Sequence, residues 1–155
     1  MNKRIGFAFL IVALALSLAA AQELRGPVSR DQILKDCPGW ADLAAAYTPD
    51  PEAVAQLQKL DHPVQIDVYF GSWCSDSKLH VPAFIKVLDV VSSPLISVSY
   101  IGIPHDRAAR AKFYGGKDIQ RIPTFIVGVD GVEKGRIVET PAKSVERDLV
   151  DILIR

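Results

Sequence analysis

Residues 70–82 read FGSWCSDSKLHVP and join two kinds of periodicity. Upstream, PVQIDVYF places apolar side chains at Val64, Ile66, Val68 and Phe70, the period of two expected of a strand. Downstream, SDSKLHVPAFIKVLDVV predicts a helix that starts near Cys74 and kinks at Pro82, with Leu79, Phe84, Val87, Leu88 and Val91 along one broad face. A strand therefore passes through a short loop into a helix, and the loop ends on Trp73-Cys74. Three residues further on, Ser77 stands where a second cysteine would complete a C-x-x-C pair. This junction works with a single sulfur or not at all.

A cysteine in the first turn of a helix faces unpaired backbone N–H groups and the positive end of the helix dipole, both of which favour the nucleophilic thiolate. Ser77, one turn on, has a backbone N–H and a hydroxyl to offer that thiolate, but it cannot attack a mixed disulfide. Asp76 acts in the opposite sense, because a nearby negative charge disfavours the thiolate. Cys74 and Ser77 are thus the candidate catalytic residues. The competing reading of Cys74 is a small buried apolar residue.

The other cysteine, Cys37, sits at the end of a short helix predicted for SRDQILKD, with Ser29 as N-cap, Gln32 three residues later and Pro38-Gly39 as the stop. It is the one internal sulfur that could resolve a mixed disulfide. A bridge needs the two Cα atoms within about 7 Å, and nothing in the sequence directs that helix end toward Cys74, so two free thiols are expected.

Elsewhere, Asp50 caps and Pro51 opens a helix over PDPEAVAQLQKL, PLISVSYIGI reads as a strand, and HDRAARAKFYGG as a short helix with a glycine stop. Asp130-Gly131 splits IPTFIVGVDGVEKGRIVE into a hairpin, and a last helix follows in TPAKSVERDLVDILI with Thr140 as cap and Pro141 behind it. From residue 64 the order is strand, helix, strand, helix, strand, strand, helix. That order predicts an α/β fold, a mixed central sheet with helices on both faces.

This order, with Trp73-Cys74 at the strand-to-helix junction, Pro82 eight residues after the cysteine, Ile122-Pro123-Thr124 before a strand and Asp130-Gly131 in the hairpin, resembles the thioredoxin superfamily. Within it the chain is most similar to exported bacterial thioredoxin-like proteins with a Trp-Cys-x-Asp-Ser (CxxS) sequence. The resemblance covers residues 64–155 and implies a thioredoxin-like three-layer domain, with 22–63 as an N-terminal helical extension. It implies a cis bond before Pro123, and Trp73, Ile122 and Pro123 as residues that bind an extended substrate segment beside Cys74. It also implies thiol-disulfide exchange with protein thiols or disulfides, or with an external small thiol. Two departures stand out. Ser77 replaces the resolving cysteine, and Val68 stands where the family often has a buried aspartate, Asp67 being expected on the opposite face of the strand. The alternative function is a non-catalytic module in which the fold holds a partner protein and Cys74 is idle.

Composition narrows the remaining classes. At 155 residues, 49% hydrophobic and 23% charged, the chain fits one globular domain, expected as a monomer. Eighteen basic residues balance eighteen acidic ones with no basic cluster after Arg4, which argues against nucleic acid or an anionic membrane as partner. His62, His80 and His105 show no metal spacing and no phosphate loop occurs, so neither metal nor cofactor is expected. The opening residues, MNKRIGFAFLIVALALSLAAAQ, read as a signal peptide over 1–21 cleaved after Ala21, with an uncleaved membrane anchor as the competitor. Cleavage leaves 16 basic against 18 acidic residues in a periplasmic or extracellular protein without stable membrane association.

Overall fold

The computed structural model describes residues 23–154, so the expected signal peptide lies outside the described residues. Ten regular elements follow in chain order: β1 (Gly26–Val28), α1 (Arg30–Asp36), α2 (Trp40–Ala46), α3 (Pro51–Leu57), β2 (Val64–Phe70), α4 (Ser75–Val91), β3 (Ile96–Gly102), β4 (Thr124–Val129), β5 (Val132–Val138) and α5 (Val145–Leu153). They build an α/β fold around one mixed sheet of order β1-β3-β2-β4-β5. The strands β2 and β3 are parallel, as the α4 crossover requires, and β1, β4 and β5 each run antiparallel to their neighbours. Asp130 and Gly131 both have positive φ, 52° and 75°, the backbone of a two-residue turn whose twist matches the hairpin strands.

The period of two in β2 separates two apolar clusters. Val64, Ile66, Val68 and Phe70 face one way and join buried residues of all five helices, among them Ile33, Trp40, Leu57, Phe84 and Leu149. Phe84 is the hub, with ring centroids 5.1 Å from Phe125 and 6.3 Å from Tyr100. Each such side chain, fully buried, contributes about 1.5–3 kcal/mol, which makes this cluster the main stabilising term. Tyr69 faces the other way, with Ile103, Ile119, Ile122 and Ile126, and the β3–β4 connection covers them.

Several sequence expectations are corrected. The short helix expected over HDRAARAKFYGG is two single 3-10 turns, Arg107–Ala109 and Ala111–Phe113. Its apolar anchors, Phe113 and Tyr114, are adjacent in sequence and both pack against the cluster around Tyr69, so the segment has no helical apolar stripe to bury. Leu79 is 61% exposed. The buried face of α4 runs through Ser77, Val81, Phe84 and Ile85, and at 100° per residue Leu79 points away from it. The last helix is capped by Ser144, whose hydroxyl accepts Arg147 N–H, and not by Thr140. The Asp148 carboxylate takes the N–H groups of Ala142 and Lys143, which holds the residues after Pro141 outside the helix.

Segment 22–63 is also more than helical. Gly26–Val28 adds an edge strand to the sheet, and α2 begins directly after the Pro38-Gly39 stop because Gly39, at φ 78°, turns the chain so that Trp40 is buried against Phe70. Tyr47 OH and Asp50 N–H both donate to the buried Glu146 carboxylate, fastening this segment to α5. Burial and the adjoining Glu146 push the Tyr47 phenol up to about 12.

Candidate functional site

Strand β2 ends at Phe70, and Gly71-Ser72-Trp73 carries the chain to Cys74, the N-cap of α4, at φ −89° and ψ 130°. Cys74 N–H donates to Gly71 O at 3.0 Å and its carbonyl accepts Lys78 N–H at 3.0 Å, so the residue is held at both ends. Its half-buried thiol donates to Ile122 O at 3.6 Å. The Ile122-Pro123 peptide is cis. Thr124 Oγ1 donates to Arg121 O at 2.6 Å and Glu139 N–H to Pro123 O at 2.7 Å, which fixes this loop beside the cysteine.

Gly71 makes that approach possible. A Cβ there would lie 2.8 Å from Trp73 Cε2 and 3.0 Å from Ile122 Cδ1, so only glycine lets the indole and the isoleucine close over the loop. Trp73, 37% exposed, donates through Nε1 to Ile103 O at 2.9 Å. His105 meets its ring edge-on at 4.5 Å between centroids, and the Arg110 guanidinium lies 5.0 Å from the centroid. Sequence reading missed Gly71 and Arg110. Gly71 stood in plain view before Ser72-Trp73, whereas nothing local marks Arg110, which reaches the site by folding.

Ser77 is placed otherwise than expected. It is fully buried beneath the loop, and its hydroxyl accepts Gly71 N–H at 3.1 Å. The hydroxyl therefore supports the loop that carries Cys74, where the sequence suggested it would face the thiolate. Ser77→Ala should leave that buried N–H without a partner and lower stability by about 1–3 kcal/mol. Chemical denaturation checks this, and an unchanged midpoint would show that the hydroxyl does not carry the loop.

Cys37 lies away from this constellation. It is 2% exposed inside the helical cluster with Trp40, whereas Cys74 packs against the cluster around Tyr69 and Ile122. Burial, with Asp36 beside it, pushes the Cys37 thiol up to about 11. Both thiols are free. Asp67, on the face opposite Val68, accepts Gln65 Nε2–H at 2.9 Å. Among the described residues no group of three or more His, Cys, Asp and Glu side chains could hold a metal ion.

A single cysteine at a strand-to-helix junction facing the peptide before Pro123, on a sheet of order β1-β3-β2-β4-β5, is the arrangement to set beside known proteins. The family described as Thioredoxin matches residues 34–151. The chain belongs to the thioredoxin family. The match begins within α1, so this thioredoxin-family region takes in most of the helical segment before β2. Among solved structures, a protein of unknown function from Pseudomonas aeruginosa superposes with a TM-score of 0.54 at 15% identity, over 81% of this chain and 84% of that one. An HIV epitope-scaffold superposes with a TM-score of 0.50 at 15% identity, over 80% of this chain and 76% of that one. At such identity the likeness is one of fold alone. No curated protein matches the chain.

Proposed function

We propose that this thioredoxin-fold chain is an exported monothiol exchange protein. In the forward step the Cys74 thiolate attacks one sulfur of a client disulfide. The client S–S bond breaks, a mixed disulfide forms on Cys74, and the departing client thiolate takes a proton from water. In the release step a second thiol, from the client itself or an external small thiol, attacks the mixed disulfide and returns Cys74 to the thiolate. Release by the client's own second thiol rearranges the client's disulfides, whereas release by two equivalents of an external thiol reduces the client and oxidises that thiol to its disulfide, and in either case the protein undergoes no net redox change.

One observation carries this reading. Cys74 is the half-exposed thiol at the head of α4, beside the Ile122 carbonyl, with the other cysteine, Cys37, buried in the core and Ser77 engaged by Gly71 N–H. The backbone at Ile122 supports a role in pairing with an extended client segment, with Trp73 as its exposed apolar neighbour. Export rests on residues 1–21. Among the described residues no helix is long and apolar enough to cross a membrane.

The decisive experiment incubates purified protein with an extract of the exported compartment, quenches with acid and identifies what is joined to Cys74. Mixed disulfides with protein or small thiols are the expected product. A specific observation favours the rival, a module that holds a partner with an idle cysteine. The Cys74 thiol is already engaged by the Ile122 carbonyl within its own chain. If Cys74 alkylates no faster than free cysteine and captures nothing, the rival stands and exchange is refuted.

A further inference from the structure

The connection from Ile103 to Ile122 is the basic part of a nearly neutral chain. It holds Arg107, Arg110, Lys112, Lys117 and Arg121 against Asp106 and Asp118, five of the eighteen basic residues and two of the eighteen acidic ones. This segment also covers the face of the sheet on which Cys74 packs, through Phe113, Tyr114 and Ile119. Two of its arginines are tied to residues that adjoin or bond the cysteine. Arg110 lies over Trp73, the residue before Cys74, and Arg121 precedes Ile122, whose carbonyl receives the thiol.

The two differ in what they are already bonded to. Arg121 is paired with Glu139 at 2.6 Å. Arg110 is half-buried and has no carboxylate partner among the described residues; its Nε donates to Pro104 O and its Nη2 to His105 O, each at 2.9 Å. Those bonds and the indole fix the guanidinium while leaving Nη1 free. A held cation with an unused Nη1, seated on the residue that precedes Cys74, matches a carboxylate in charge and geometry.

The nearby acids are committed elsewhere, with one exception. Asp106 accepts Ala108 N–H, and Glu23 pairs with Arg25 and accepts His105 N–H. Asp76, in the first turn of α4, is the exception and acts against an anionic client.

Building on the exchange reading above, we propose that Arg110 is a specificity residue and that the client disulfide of Cys74 bears carboxylates, whether as acidic residues flanking a protein cysteine or as a small acidic thiol. The carboxylate pairs with the Arg110 guanidinium at the Trp73 wall while Cys74 attacks the adjacent sulfur. The S–S bond opens, the mixed disulfide forms and the anionic thiol leaves with a proton from water.

Three alkyl disulfides of matched size test this: dithiodiglycolate, bearing two negative charges, hydroxyethyl disulfide, neutral, and cystamine, bearing two positive charges. Rates of mixed-disulfide formation on Cys74 are measured by mass spectrometry and divided by the rates with 2-mercaptoethanol. The normalised rate with dithiodiglycolate should exceed that with hydroxyethyl disulfide about tenfold at low salt, with cystamine slowest, and the ratio should shrink toward about twofold at high salt. Arg110→Gln should abolish the preference while leaving the neutral probe's rate within about twofold, and Arg110→Lys should restore part of it.

Equal normalised rates for all three probes overturn the inference and leave the exchange reading intact. No reaction with any probe overturns both. If Arg110→Gln slows all three probes equally, Arg110 only holds the Pro104-His105 backbone and the inference falls. With a preference in hand, acidic and neutral peptides each containing one disulfide separate a protein client from a small thiol.

Discussion

Cys74→Ser should abolish mixed-disulfide formation outright, whereas Cys37→Ala should leave it within about twofold. The asymmetry follows from where the two sulfurs lie. Cys74 stands half-exposed at the head of α4, packed against the cluster formed by Tyr69, Ile103 and Ile122, and solvent reaches it. Cys37 is sealed in the helical cluster beside Trp40, and burial, which penalises the thiolate, holds its thiol up at about 11. At neutral pH it offers almost no nucleophile and no path of attack.

Cys37→Ala should instead appear in stability, with a loss of about 1–2 kcal/mol from the sulfur removed out of a packed site. Alanine is the better replacement here because serine would bury a hydroxyl in an apolar site. Air-oxidised protein, once denatured, should show two titratable thiols per chain. A peptide map joining Cys37 to Cys74 would overturn this and restore a two-cysteine cycle.

The second large effect is expected at Gly102→Ala. Gly102 closes β3, and a Cβ there would lie 2.5 Å from Leu24 O and 2.6 Å from Leu24 C. The obstacle is backbone, which cannot swing aside as a side-chain end would. The N-terminal segment must therefore lift from the sheet edge or β3 must shift, at a cost of about 2–3 kcal/mol. Lifting it breaks the bond from Leu24 N–H to Ser72 Oγ, 3.1 Å long, which ties this segment to the loop bearing Trp73 and Cys74.

Two readouts follow: a lower denaturation midpoint, and faster tryptic cleavage after Arg25 in the otherwise folded protein. Gly128→Ala is the control, since its nearest new contact, 3.5 Å from Val132 O, is ordinary van der Waals distance. Equal midpoints for the two variants would show that Leu24 does not press on β3.

The strand-to-helix junction, the hairpin and most of the element order were legible in the sequence because each rests on local rules. Alternation in VQIDVYF set β2, Ser29 and Asp50 capped helices with the hydroxyl and carboxylate that their positions call for, and Asp130-Gly131 supplied the two positive φ angles of a tight turn. The reactive residue was legible for the same reason: Trp73-Cys74 is contiguous, and the absence of a second cysteine at position 77 can be read directly.

Contacts between distant residues were not legible. The edge strand Gly26–Val28 is three residues long and exists because β3 offers it an unpaired edge, a property of the assembled sheet. Leu79 looked apolar enough for the core, and only the angular position of the packed face of α4 left it in solvent. Thr140-Pro141 had the pattern of a helix start, but Asp148 claimed the following N–H groups from six and five residues downstream. Ser77 could be read as a missing thiol, yet its role came from a turn that brought Gly71 N–H over it. Arg110, thirty-six residues after Cys74, meets Trp73 only once β3 and its following turns have laid the chain back across the sheet. Local propensity and spacing thus determined which residue carries the sulfur chemistry. Long-range packing, which alone decides what is buried and what stands beside it, determined the neighbours that give that sulfur its setting.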